Sequence, residues 1–184
     1  MILMTGDARA SIPVLFVFML HRHIHRTYVP EGIYFVTTDV RWHVPLFAKA
    51  VIAQIVERTI WHERTSCFLV YAYVIMQDHM HLLIQPTKGE ISTIIQSIKS
   101  NSCREVNRYF QKQHSGERAL AAMGDMGVFR WQKGFYDHVI KDDRDFRNHI
   151  EYIRYNPVKA SLVEKPEEHP FLFVDEEAVW RMLG

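Results

Sequence analysis

Along the 184-residue chain, β-type apolar runs alternate with stretches in which apolar residues return at helical spacing. Ile33-Tyr34-Phe35-Val36-Thr37-Thr38 is β-branched and aromatic and follows the turn signal Pro30-Glu31-Gly32, which predicts a strand. Residues 46–62 carry Leu46, Ala50, Ala53, Val56 and Ile60 at helical spacing. The run CFLVYAYVIM, Cys67 to Met76, and the run from His79 to Gln85 flank the short polar pair Gln77-Asp78, and together they predict a hairpin. A second helix is predicted over 91–112, with Ile91, Ile94, Ile95, Ile98, Cys103, Val106 and Tyr109 on its apolar face. Residues 113–127 read as a loop, 135–140 as a short strand, and Asp142 as the cap of a third helix over 143–155 that Pro157 is expected to end. The order β-α-β-β-α-β-α predicts an α+β fold: a ferredoxin-like antiparallel sheet with helices packed on one face, plus a C-terminal helix.

Composition fits one globular domain. Hydrophobic residues make up 48% of the chain and charged residues 23%, enough apolar material for a core, and no repeat or linker divides it. The formal charge of +1 conceals an uneven distribution: +1 over residues 1–91, +4 over 92–165 and −4 over 166–184. The basic excess of the second half is a modest signal for phosphate binding. Cys67 and Cys103 form no Cys-x-x-Cys pair, which excludes a thiolate zinc ribbon and makes a reducing, cytoplasmic setting the default. The most apolar stretch, Ile12 to Leu20, is too short for a bilayer span, which needs ~20 residues. Residues 1–18 read as an extension upstream of a start at Met19, 19–174 as the domain, and 175–184 as an acidic tail.

Two local patterns carry chemistry. On a strand, residues two apart face one side, so His79 and His81 project together while Met80 points into the opposite face. Two adjacent imidazoles make a bidentate metal mount; a pair of ordinary surface histidines is the plainer alternative. A third alternating histidine, as a histidine-triad hydrolase requires, is absent because that position is Leu83. The Pro-Cys-x-x-Cys element of zinc deaminases, the Gly-rich phosphate loop, the Gly-x-Ser-x-Gly elbow and the His-Glu-x-x-His helix are also missing. The run His21-Arg22-His23-Ile24-His25-Arg26 reads as a basic arm. In the predicted third helix, Tyr152 and Asn156 lie four residues apart on one face, where a phenol and an amide address one point.

In combination these elements resemble a known family. The Tyr34-Phe35-Val36-Thr37 strand, the Gln77-Asp78-His79-Met80-His81-Leu82-Leu83 segment, Trp131-Gln132-Lys133-Gly134-Phe135-Tyr136-Asp137-His138, and the stretch from Tyr152 through Asn156-Pro157-Val158-Lys159-Ala160 to Val163 occur in that order. The ordered set resembles the REP-associated tyrosine transposases, IS200-like members of the single-tyrosine HUH endonuclease superfamily, over about Tyr34 to Val174. The resemblance implies that His79 and His81 ligate a divalent metal, Mg²⁺ or Mn²⁺, with Asn156 completing its shell, and that Tyr152 is the nucleophile. Tyr136 is the rival nucleophile. The implied reaction is cleavage and rejoining of single-stranded DNA at hairpin or palindromic repeats through a 5′-phosphotyrosine. Arg130, Lys133, Lys141, Arg144, Arg147, Arg154 and Lys159 are then candidate phosphate contacts, and Trp131, Phe135 and Tyr136 candidate stacking platforms, with packing beside a core strand the plainer role for these aromatics. Arg22, Arg26 and Arg41, in the segments 21–26 and 41–43, are candidates for reading a guide sequence. A monomer and a homodimer both fit. The chain departs from the family pattern at Gln77-Asp78, where relatives often show Pro-Asn, and near Ser161, where they usually have glycine. A hairpin-binding module that no longer cuts is the alternative from another functional class, and a small-molecule metallohydrolase is a third.

Overall fold

The computed structural model describes residues 29–113 and 128–184. The expected extension over 1–18, the start at Met19, the basic arm with Arg22 and Arg26, and the greater part of the 113–127 loop lie outside the described residues.

Five strands form one antiparallel sheet: β1 (Tyr34–Asp39), β2 (Phe68–Ile75), β3 (His79–Pro86), β4 (Tyr136–Val139) and β5 (Leu172–Val174), in the order β4-β1-β3-β2-β5. The first four have the ferredoxin-like order, and β5 extends the β2 edge. Two helices, α1 (Ala50–Cys67) and α2 (Ile91–Gln113), cover one face. There Tyr34 and Val36 of β1 and Met80, Leu82 and Ile84 of β3 meet Ile52, Val56 and Ile60 of α1 and Ile95, Ile98 and Val106 of α2. The other face is covered by α3 (Asp143–Lys159) and α4 (Glu176–Leu183), where Phe35, Ala72, Val74 and Leu83 pack on Phe146, Ile150 and Ile153. The helices expected on one face are α1 and α2; the tyrosine-bearing α3 lies on the opposite one.

Strand β2 is apolar on both sides because both its faces are covered, and it carries a register shift between Val70 and Ala72. The shift leaves Tyr71 and Ala72 on the same face, packed with Phe146, while Val70 and Tyr73 remain on the other. Tyr71 meets Phe146 edge-on at 5.2 Å.

Helix α3 corrects an expectation. Asp142 caps it as anticipated, its side chain accepting from the Asp145 N–H at 2.8 Å, but Pro157 does not end it. The helix runs to Lys159 with Pro157 buried inside its last turn. It closes with the Leu162 N–H bonded to the Pro157 carbonyl and the Ser161 N–H to the Val158 carbonyl, both at 2.9 Å, a Schellman arrangement. Ser161 there takes φ 56°, the left-handed conformation that glycine supplies without strain. The proline's missing N–H costs one bond near the helix end, and burial of its ring helps offset it. The acidic tail is likewise structured, as β5 leads into α4, whose Asp175 cap accepts from the Ala178 N–H at 3.0 Å. No described helix is long and apolar enough to cross a membrane.

Candidate functional site

The site lies where the sheet meets α3. Side-chain alternation puts Phe35 and Thr37 of β1, His79 and His81 of β3, and Tyr136 and His138 of β4 on the α3 face. Antiparallel pairing sets Thr37 opposite His81, Asp39 opposite His79, Tyr136 opposite Thr37 and His138 opposite Phe35. On α3, Asp145, His149, Tyr152 and Asn156 follow one another at spacings of four, three and four, a single stripe down the helix.

The two predicted histidines stand side by side, ring centroids 4.8 Å apart. His79 Nδ1 donates to Asp78 Oδ1 at 2.6 Å, leaving Nε2 as the acceptor nitrogen. The other oxygen of Asp78 lies 3.4 Å from His43 Nδ1. His81 is 4% exposed. Its Nδ1 is 2.8 Å from Thr37 Oγ1, and its Nε2 is buried with no hydrogen-bond partner. Burial, reinforced by the neighbouring His79 and His149, holds the His81 imidazole well below its ordinary pKa and therefore neutral. A buried nitrogen without a partner costs about 1–3 kcal/mol, and a cation at Nε2 would satisfy it with Nδ1–H donating to Thr37.

The tyrosine helix brings its phenol against this pair. The Tyr152 ring lies 5.1 Å from that of His81, at 73°. Burial raises the Tyr152 pKa, while a side-chain hydrogen bond from Asn156 works the other way. Lys159 Nζ sits 5.7 Å over the Tyr152 ring. His79, His81, Tyr152 and Asn156 are thus in one place. The residues fit a cation, since two imidazoles and an amide oxygen form a mixed donor set that Mn²⁺ accepts more readily than Mg²⁺, which prefers oxygen.

Three residues that sequence reasoning passed over complete the setting. Phe35 is in contact with His81 (5.3 Å), His149 (4.6 Å) and Tyr152 (5.6 Å). Thr37 and Asp78 orient the two imidazoles. Asp78, beside His79 in sequence, was open to detection; Thr37 and Phe35 become visible only through the β1–β3 register.

The candidate nucleic-acid contacts divide. Arg130, Lys133, Lys141, Arg144, Arg147 and Lys159 are exposed, and Tyr136 is 57% exposed on the site's face. Arg41 stacks on Trp42 at 4.2 Å, and Trp42 is itself exposed in a turn where it and His43 both have positive φ. Trp131 corrects an expectation: it is 8% exposed, donates from Nε1 to Ser102 Oγ at 3.0 Å and packs on Phe47 and Phe129, so it is a core residue. Phe135 likewise packs against the α1/α2 core. Arg154 points away from Tyr152, because two residues turn a helix by about 200°; it pairs with Glu176 of α4 at 2.8 Å and clasps the two helices together.

An antiparallel ferredoxin-like sheet thus carries a histidine pair that faces the tyrosine of α3, and the chain is similar to known proteins of this fold. The family model described as "Transposase IS200 like" matches residues 43–156, more than half of the chain, and the chain belongs to that family. It is 26% identical over 146 residues to the REP-associated tyrosine transposase of Escherichia coli K12, covering 79% of this chain and 78% of that one. To a Haemophilus influenzae protein provisionally named a REP-associated tyrosine transposase it is 32% identical over 113 residues, 56% of this chain; the match spans 57% of that relative's length. The fold matches that of a REP-associated tyrosine transposase solved bound to a REP hairpin, with a TM-score of 0.63, 22% identity, and coverage of 88% of this chain and 87% of that one.

Proposed function

We propose that the chain is a metal-dependent single-stranded DNA endonuclease and strand transferase acting at hairpin or palindromic repeat DNA. The observation that carries this reading is the His81 Nε2 atom, buried and unpartnered beside His79, with the Tyr152 ring 5.1 Å away. The relatives named for REP-associated transposition support the choice of substrate.

His79, His81 and Asn156 would hold a divalent cation, Mn²⁺ or Mg²⁺. When bound, it would polarise the scissile phosphate and stabilise the charge that develops on it. Tyr152 Oη attacks phosphorus, the phenol losing its proton to solvent as the O–P bond forms. The bond from phosphorus to the 3′ oxygen breaks, its electron pair stays on that oxygen, and protonation leaves a free 3′-hydroxyl and a 5′-phosphotyrosine. Rejoining is the reverse and needs no nucleotide cofactor. Asn156 bonds to the nucleophilic oxygen and favours its ionised form, which burial alone disfavours. Arg130, Lys133, Lys141, Arg144, Arg147 and Lys159 supply exposed positive charge for the DNA backbone, joined by Arg41, half-buried against Trp42, and Tyr136 an exposed ring for a base.

The test is a panel of labelled hairpin oligonucleotides with single-stranded flanks, incubated with Mn²⁺ and resolved under denaturing conditions. Wild type forms a covalent adduct, and Tyr152→Phe forms none. An adduct that persists in Tyr152→Phe refutes the assigned nucleophile, and binding across the panel without any adduct identifies a non-cutting hairpin binder.

A further inference from the structure

The α3 face of the sheet carries a second group of ligating side chains beside the histidine pair. Phe35 touches both: its ring centroid is 5.3 Å from that of His81 and 4.6 Å from that of His149. The ligand atoms of His138 on β4 and of Asp145 and His149 on α3 all lie within 4.8 Å of one another. His138 Nε2 is 2.8 Å from Asp145 Oδ2, and His149 Nδ1 is 3.1 Å from Asp145 Oδ1. The imidazoles are stacked, centroids 4.9 Å apart and 21° from parallel, so both rings present a nitrogen to the one carboxylate. The side chains are 20–26% exposed, which leaves an entry path from solvent.

We propose that His138, Asp145 and His149 form a second divalent transition-metal site, separate from the His79/His81 pair. Two imidazoles and one carboxylate are a donor set suited to Zn²⁺, Co²⁺ or Mn²⁺ and poorly suited to Mg²⁺. Three protein ligands leave at least one coordination position open to water or to an anionic oxygen. An outer contact is already present, because the Lys141 N–H donates to Asp145 Oδ2 at 3.0 Å and holds the carboxylate in place. On entry the cation replaces the protons that now bridge the imidazoles to Asp145. His149 Nδ1 then gives up its 2.8 Å contact with the Asp145 carbonyl, an oxygen that the helical ladder also serves. The bound ion ties β4 to the first turns of α3, the helix that positions Tyr152 three residues beyond His149.

This site does not rest on the function proposed above, and a Co²⁺ titration keeps the two apart. Calorimetry and the visible Co²⁺ spectrum are measured on the full chain, on His79→Ala/His81→Ala, and on Asp145→Asn alone and in that double background. His138→Gln is included because its amide can still hydrogen-bond to Asp145 while being a poor ligand, and circular dichroism checks that each variant is folded. Two Co²⁺ per wild-type chain are expected, one in His79→Ala/His81→Ala, and none once Asp145→Asn or His138→Gln is added. A single ion in wild type that disappears in His79→Ala/His81→Ala overturns the second site and leaves the cluster as a hydrogen-bonded clasp. An ion that survives in His79→Ala/His81→Ala with Asp145→Asn and with His138→Gln also overturns it. A single ion that is unaffected by His79→Ala/His81→Ala but lost in Asp145→Asn upholds the second site and counts against the metal role of the histidine pair.

Discussion

Thr37 is the residue on which the orientation of His81 depends, and replacing it with valine isolates that dependence. Thr37→Val keeps the volume and the β-branch of the strand residue and removes the hydroxyl that lies 2.8 Å from His81 Nδ1. His81 is 4% exposed, so water does not readily replace the lost partner. An unsatisfied buried nitrogen costs about 1–3 kcal/mol, and urea unfolding should show a loss of that size. The imidazole also loses the bond that favours Nδ1–H over Nε2–H. With the proton free to sit on Nε2, the nitrogen that faces the proposed cation becomes a donor. Loss of such an orienting partner usually weakens metal affinity by about 10–100-fold. The Mn²⁺ concentration giving half-maximal covalent adduct should rise by that factor in Thr37→Val, and Thr37→Ser, which restores a hydroxyl, should recover most of both effects. A Thr37→Val protein with unchanged stability and unchanged Mn²⁺ dependence would refute the reasoning.

Two further outcomes follow from elements away from the site. Ser161 holds a left-handed conformation at the end of the tyrosine helix, so Ser161→Gly should stabilise the protein by about 1 kcal/mol in chemical denaturation; an unchanged or lowered midpoint would contradict this. Tyr73 donates to Glu57 Oε1 at 2.7 Å and accepts from Trp61 Nε1 at 3.1 Å, and burial together with Glu57 pushes its pKa far up. The folded state therefore favours the protonated phenol, a stabilisation complete below the ordinary tyrosine pKa of about 10 and lost as pH rises above it. Unfolding free energies measured between mildly and strongly alkaline pH should fall, with a shallower slope in Tyr73→Phe. Some slope remains there, because burial raises Tyr71 as well.

The parts of the site legible in sequence are those fixed by local periodicity. His79 and His81 share a face because a strand repeats every two residues, and Tyr152 and Asn156 share one because a helix returns near four. Helix α2 was legible for the same reason, being long and strongly patterned. β5 and α4 were not: a three-residue strand of half-buried residues and an eight-residue helix carry too little pattern to stand out. The helix stop assigned to Pro157 failed because the preference against proline is local, whereas its ring is buried in the helix's last turn.

The residue sequence by itself determined an α+β domain with a histidine pair on one strand and a tyrosine helix following it, since each depends on neighbours within a turn or a pleat. Only the tertiary structure decided which side chains meet. Strand register set Thr37 against His81 and placed Phe35 in contact with both histidine groups. Packing buried Trp131, for which the sequence left base stacking and core packing both open. An ion pair across 22 residues turned Arg154 toward α4 and away from Tyr152. His138, Asp145 and His149 converge because β4 lies beside β1 under the first turns of α3. Contacts of this kind join residues distant in sequence, and they are fixed by the packing of whole faces, which no local period encodes.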